Sequence, residues 1–153
     1  MIKEKKIYQN MNKKFLVLAF LLLFFQISFS QSVVGKWKTV DDETGVEKGI
    51  VEIFEKDGVY YGKIVEIFES QHKNKKCTLC QGESKDKPLL GLTFIKGLKK
   101  DGHEYSGGKI LDPKNGKTYK CYITLEGKDK LKVRGFIGIS LFGRTQYWSR
   151  LKN

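Results

Sequence analysis

The stretch at 131–148, LKVRGFIGISLFGRTQYW, places the tightest limits on what this chain can become. It alternates with a period of two, breaks across 138–143, and alternates again into Trp148. Leu131, Val133, Gly135, Ile137 and Ile139 fall on one face of a strand, and Lys132, Arg134, Phe136 and Gly138 on the other. Two alternating arms joined by a short break read as an antiparallel hairpin. Gly135, Gly138 and Gly143 sit where strand glycines mark bends, bulges or close backbone approach. A sheet that closes on itself needs such corners.

The preceding chain offers partners for that hairpin. Its composition predicts strands at 33–40, 48–55, 59–69, 89–98, 104–111, 117–125, 131–137 and 144–151. Turn chemistry separates them: DDETG at 41–45, Lys56-Asp57-Gly58, Lys100-Asp101-Gly102, and Asp112-Pro113-Lys114-Asn115-Gly116. Only 70–88 makes a long connection, and no sustained helical period appears beyond residue 30. Short connections force antiparallel neighbours, because a parallel pair needs a crossover of about a dozen residues or more. The expected fold is all-β, a single antiparallel up-and-down β-barrel of about eight strands, which hides its edges by closure. The competing architecture is a two-sheet sandwich, which favours longer Greek-key connections.

Residues 1–30 have a different character. Lys3, Lys5, Lys6, Lys13 and Lys14 precede an apolar run at 15–25, too short for the roughly 20 residues that span a bilayer as a helix. Ser28 and Ser30 follow in the small-x-small pattern of a signal-peptidase site. This predicts an N-terminal signal helix cleaved between Ser30 and Gln31, a mature domain at 31–153, and export to the periplasm or beyond the cell. Met11-Asn12-Lys13-Lys14 is already a complete n-region, so either Met1 or Met11 can open the signal. No cysteine stands at the cleavage point, which argues against a lipid anchor.

The chain carries a formal net charge of +12. Five of its 29 basic residues and one of its 17 acidic residues lie in 1–30, leaving +8 on 31–153. Such a charge favours acidic surfaces. Export argues against nucleic acid as the partner, which leaves weak association with an anionic membrane surface. Lysines alternating with apolar residues also serve as solvated outer faces that discourage edge-to-edge pairing.

Several phrases resemble the DUF2147 family of small exported bacterial proteins. They are Gly35-x-Trp37, Gly62-Lys63-Ile64, Gly91-Leu92, Gly107-Gly108-Lys109-Ile110-Leu111-Asp112-Pro113, Asn115-Gly116-Lys117-x-Tyr119, Leu131-x-Val133-Arg134-Gly135 and Phe142-Gly143-Arg144-Thr145-x-x-Trp148. The resemblance spans nearly all of 31–153 and implies a lipocalin-like barrel and an exported location. It implies no activity and carries over no catalytic or binding residue. Gly35-x-Trp37 also resembles the first-strand signature of lipocalins, in which the tryptophan closes one barrel end under a late-strand arginine. Arg150 and Arg134 are the candidates for that partner, so Trp37 and Arg150 are assigned structural roles.

The loop at 70–88 holds the main chemical constellation, Cys77-x-x-Cys80 with His72 nearby. In an oxidising compartment the plain reading is a local Cys77–Cys80 disulfide. A zinc site with His72 is the alternative, but the second half-site is missing. Thioredoxin-like chemistry would need a helix after the first cysteine in a βαβ context, and covalent haem would need histidine where Gln81 stands. Pairing with Cys121 is a further alternative, although Cys121 fits a small buried hydrophobe. No cofactor or metal is therefore assigned.

Catalytic residues are assigned to none of these positions. His72 and His103 fall in loop or turn settings, and no nucleophile elbow, phosphate-cradling loop or metal-binding helix is present. Asp41, Asp42 and Asp112 sit where turns use aspartate for backbone hydrogen bonds. Two classes of function remain. One is a barrel that binds a small apolar or amphipathic molecule, with Arg134 and Arg144 meeting an acidic end and Phe136, Phe142 and Trp148 as apolar contacts. The other is a structural or protein-interaction module of the cell envelope with a solid core. The sequence leaves the oligomeric state open.

Overall fold

The computed structural model describes residues 32–152; the signal segment and helix expected at 1–30 lie outside the described residues. Eight strands follow in order: β1 (Gly35–Val40), β2 (Glu47–Lys56), β3 (Val59–Ile67), β4 (Thr93–Asp101), β5 (Glu104–Asp112), β6 (Lys117–Leu125), β7 (Lys130–Phe136) and β8 (Gly143–Arg150). Each pairs antiparallel with its sequence neighbour, and β8 returns to β1, so the sheet is a closed up-and-down barrel. Closure rests on the register Trp37↔Arg150 and Lys38↔Ser149.

The fourth strand departs most from the sequence reading. It begins at Thr93 rather than 89. Leu89 looks like a strand residue because it is apolar, but its hydrogen bond goes elsewhere. The Leu89 N–H donates to the Lys75 carbonyl (2.9 Å), and the side chain packs on Cys77, Cys80 and Leu92. Leu89 and Leu92 therefore serve a small satellite core beneath the 70–92 connection, while Leu90 is exposed.

β7 shows how alternation builds the interior and where it stops. Leu131 and Val133 are buried, in one cluster with Trp37, Val51, Ile53, Ile95, Leu98, Ile123 and Trp148. Ile137 and Ile139, expected on the same inward face, are exposed instead. The strand ends at Phe136, and Gly138 turns the chain with φ of 67°. The Ile137 N–H then donates to the Phe142 carbonyl (3.0 Å), closing a compact loop over 137–142.

The two ends of the barrel differ. At one end, short turns at Asp57-Gly58 and Gly102-His103 join the strands, with the 126–129 turn beside them. There the fully buried Trp37 donates from Nε1 to the Val33 carbonyl (2.8 Å). The Arg150 guanidinium lies 4.1 Å from the Trp37 ring centroid. It also donates to the carbonyls of Lys128 (2.8 Å), Val34 (3.2 Å) and Ser32 (2.7 Å). One planar cation thus caps the indole and ties the first strand's approach to the β6–β7 turn; the stacking alone contributes roughly 0.5–2 kcal/mol. The other end carries the longer connections at 41–46, 68–92 and 137–142, with the 113–116 turn among them.

Candidate functional site

The inward face of the β7–β8 hairpin changes character along its length. The register pairs Leu131 with Trp148, Val133 with Gln146 and Gly135 with Arg144. The ladder therefore runs from a buried apolar pair, through a mixed pair, to a guanidinium opposite a residue with no side chain. A Cβ at Gly135 would meet the Ile110 side chain at 3.2 Å, so the glycine lets β5 pack closely and leaves the rim opposite Arg144 unfilled. Gly138 plays a different part: it sits in open space in the β7–β8 loop.

A cavity of about 380 Å³ opens at this end. Its apolar wall includes Phe94, Ile110, Tyr119, Val133, Phe136 and Phe142, and its polar rim includes Arg144, Gln146 and Asn115. A second recess of about 740 Å³ extends under the 70–92 connection, past Trp148, Phe94, Leu89 and Ile64. Phe94 lines both and tilts against Trp148 at a centroid separation of 6.3 Å. Volumes of several hundred Å³ with apolar walls and a few fixed polar groups are typical of small-molecule sites.

Hydrogen bonds fix the rim. Arg144 grips Asp42 in a bidentate manner, with Nε at 2.5 Å from Oδ2 and Nη2 on Oδ1. Gln146 Nε2 donates to the same Asp42 carboxylate (3.2 Å), and Trp148 Nε1 donates to Gln146 Oε1 (3.2 Å). A continuous chain thus runs from the buried indole to the exposed guanidinium. The Arg144 hydrogen bond holds the Asp42 carboxyl below its ordinary range, and Asp42 raises the guanidinium in turn. Glu43 Oε1 lies 3.4 Å from the same Nη2, so an anion that takes the Nε–Nη2 face of Arg144 must displace Asp42, and the β1–β2 loop is a competitor for that face.

Asp41 has a structural task. Its Oδ1 accepts from the backbone N–H groups of Thr44 (3.1 Å) and Glu43 (3.2 Å), and its Oδ2 meets Lys114 Nζ (3.3 Å). The Thr44 backbone bond, followed by Lys114, drives its carboxyl well below the usual carboxylate range. Asp112 likewise accepts from the Lys114 N–H (2.9 Å) within its turn. Nearby, Glu69 joins Lys48 Nζ (2.5 Å) and His72 Nδ1 (2.8 Å); the Lys48 bond lowers the Glu69 carboxyl.

Cys77 and Cys80 are buried and joined in a disulfide with a Cα separation of 5.3 Å. The pair anchors the satellite core with Leu92, while the Cys77 N–H donates to the Lys87 carbonyl (2.9 Å). Cys121 is a free, buried thiol, pushed by burial up to about 12. Among the described residues, no group of three or more His, Cys, Asp or Glu side chains is arranged to hold a metal ion.

The comparisons with known proteins can be set against this geometry. Residues 35–150 match the family described as "Uncharacterized protein conserved in bacteria (DUF2147)". The chain belongs to the DUF2147 family. No curated protein matches it. This DUF2147 barrel is similar to a solved structure described as "Protein HP1028 from the human pathogen Helicobacter pylori belongs to the lipocalin family". The two are 24% identical, with a TM-score of 0.70, covering 80% of this chain and 84% of that one. The likeness establishes the lipocalin-like fold.

Of the residues singled out in the sequence, the DUF2147 barrel brings Arg144 and Phe142 to the smaller cavity and Trp148 to the larger recess, while Phe136 borders the cavity from the outer face, its ring 6.2 Å from that of Tyr122. Arg134 stands apart from both. Its Nε donates to the Ser140 carbonyl (2.8 Å), Nη1 to Thr145 Oγ1 (2.6 Å) and Nη2 to the Leu141 carbonyl (3.1 Å). Even-numbered β7 residues face outward, so Arg134 braces the β7–β8 loop from outside, and Arg150 rather than Arg134 covers Trp37. Sequence reasoning missed Gln146 and placed Asp42 only in a turn. Gln146 was within reach, because Arg144-x-Gln146-x-Trp148 shares one face of β8. The Asp42 contact spans 102 residues and has no local signal.

Proposed function

We propose that this protein is an exported, non-enzymatic carrier that holds a small amphipathic molecule at the open end of its barrel. The apolar part occupies the cavity among Phe94, Ile110, Tyr119, Val133 and Phe142, and an acidic end meets Arg144. The single observation that carries this reading is the cavity of about 380 Å³ with one exchangeable guanidinium at its rim. It favours binding over a barrel filled solid by its own side chains. Export is supported by the lysines, the apolar run and Ser28-x-Ser30 in 1–30, and by a disulfide suited to an oxidising compartment. An intact mass of the exported product that retains residues 1–30 would refute cleavage after Ser30.

Binding is tested with a matched pair of probes, dodecanoate and dodecanol, by calorimetry. A charge-assisted hydrogen bond contributes about 1.5–3 kcal/mol, so Arg144→Ala should weaken dodecanoate at least about tenfold and leave dodecanol unchanged. Asp42→Asn removes the bidentate anion on Arg144, leaving Glu43 at 3.4 Å, and should tighten dodecanoate. Equal loss of both probes in Arg144→Ala would overturn the assignment of Arg144, and no binding of either probe by the wild-type chain would count against the carrier reading.

A further inference from the structure

Lys96, Lys109 and Lys120 stand side by side across β4, β5 and β6. In the ladder Lys96 faces Lys109, and Lys109 faces Lys120. All three are exposed. Like charges directly opposite across strands are destabilising. Among the described residues, none of the three forms an ion pair with a carboxylate. The row is thus a concentration of positive charge that the fold does not neutralise internally.

The next member of the row, opposite Lys120, is Phe136. From there the chain enters the loop at 137–142, IGISLF. Ile137, Ile139, Leu141 and Phe142 are 67%, 61%, 75% and 68% exposed. A contiguous apolar patch of this kind marks an interaction site. Cations hold its base: Lys120 Nζ donates to the Gly138 carbonyl (3.4 Å), and Arg134 donates to the Ser140 and Leu141 carbonyls. The loop is presented by these bonds with its apolar side chains outward.

We propose that the 137–142 loop and the Lys96–Lys109–Lys120 row form one docking surface for an anionic phospholipid bilayer. The apolar tip enters below the headgroups, and the lysines sit at the level of the phosphates. Charge complementarity selects this occupant. A second copy of the chain would bring the same lysine row and the same positive excess against the first, whereas an anionic bilayer supplies negative charge beside apolar depth. Ile137 and Phe142 also line the cavity, so docking holds the cavity mouth against the lipid. The docking surface stands without the carrier reading, because vesicle binding needs no ligand in the barrel.

The test uses residues 31–153, a compact unit with its own core, in sedimentation with vesicles of phosphatidylcholine alone or mixed with phosphatidylglycerol. The chain should bind the mixed vesicles, release with added salt and ignore pure phosphatidylcholine. Each lysine near such a surface is worth about fivefold in affinity, so the triple change Lys96→Gln, Lys109→Gln, Lys120→Gln should weaken binding on the order of 100-fold. Ile139→Ser with Leu141→Ser, at exposed positions that leave the core intact, should weaken it at least about tenfold. Lys56→Gln with Lys128→Gln, at the short-turn end, should change little. The proposal is overturned if the wild-type chain fails to bind mixed vesicles, or if the Lys56 and Lys128 changes weaken binding as much as the row. It is also overturned by a dimer that Leu141→Ser dissolves while vesicle binding is absent, since the occupant would then be a second copy.

Discussion

Replacing Arg150 with alanine tests how the barrel is closed. The side chain supplies a stack on Trp37 at 4.1 Å and three hydrogen bonds to the carbonyls of Lys128, Val34 and Ser32. The stack contributes roughly 0.5–2 kcal/mol. Each hydrogen bond adds about 0.5–1 kcal/mol net, because these carbonyls lie where water can replace the guanidinium. The expected loss is about 3 kcal/mol, equivalent to a fall of about 10 °C in Tm for a domain of this size. Urea unfolding followed by far-ultraviolet circular dichroism gives the value, with the slope unchanged if the denatured state is unaffected. Arg150→Lys keeps the charge but not the planar fork, and should recover less than half of the loss. A double-mutant cycle with Trp37→Leu isolates the stack, which should appear as a coupling of about 0.5–2 kcal/mol. A loss below about 1 kcal/mol in Arg150→Ala would show that the guanidinium does not close the barrel, and effects of the two changes that simply add would show that the stack contributes nothing.

Three further outcomes are expected. Cys77→Ser with Cys80→Ser opens a very short covalent loop and should cost about 2 kcal/mol in the entropic treatment, read as earlier proteolytic nicking within 70–92 while the barrel's circular dichroism persists; unchanged protease resistance would show that the disulfide is dispensable. Gly116→Ala would place a Cβ 1.9 Å from the Leu79 carbonyl oxygen at a φ of +71°, so it should cost about 3 kcal/mol, whereas Gly58→Ala, with φ of +75° and open space around it, should cost about 1 kcal/mol; equal costs would mean that the 113–116 turn does not rest on the disulfide loop. Asp41, Asp42 and Glu69 all have lowered carboxyl pKa values, so their stabilisation is fully present above the unfolded-state values near about 4 and is lost as pH falls through the folded-state values; stability should be level from pH 7 to about 5 and decline below about 4, and a flat profile down to pH 2 would refute the pairing.

The fold was legible because every strand pairing except the closing one between β1 and β8 joins neighbours in sequence. Period-two alternation and turns such as Asp57-Gly58 fix neighbours in sequence as neighbours in space, and the observed strands lie within a few residues of those expected, except where Leu89 joins the satellite core. The site was legible only where it followed from alternation. Arg144 and Trp148 lie on one strand with a shared parity, and the same rule exposes Gln146. Alternation misled at Ile137 and Ile139, because a period carries no information about where Gly138 takes a positive φ and ends the strand. The pairing of Arg144 with Asp42 joins positions 102 residues apart, and nothing local encodes it. Arg134 and Arg144 illustrate the limit most directly: both are arginines beside glycines on one hairpin, yet strand parity sends one to the outer face and the other to the rim.

The two ends of the barrel separate stability from binding in physical terms. The Trp37–Arg150 cap draws on β1, β8 and the β6–β7 turn, and its partners are backbone carbonyls that almost any sequence supplies. The open end draws on side chains from Asp42, Asn115, Tyr119, Phe142, Arg144 and Gln146, carried by three different connections and the strands beside them. Between the ends lies a buried cluster, Ile53, Ile95, Leu98, Ile123, Leu131 and Val133, packed too tightly to transmit small changes without cost. Substitutions at sites well separated and without shared partners add in their effects. Changes at Arg150 should therefore alter unfolding without altering the probe selectivity set by Arg144. Trp148 is the exception, because its indole belongs to the core cluster while its N–H reaches Gln146 (3.2 Å) and through it Asp42. Trp148→Phe would leave Gln146 Oε1 without that donor, so its replacement should disturb both properties together.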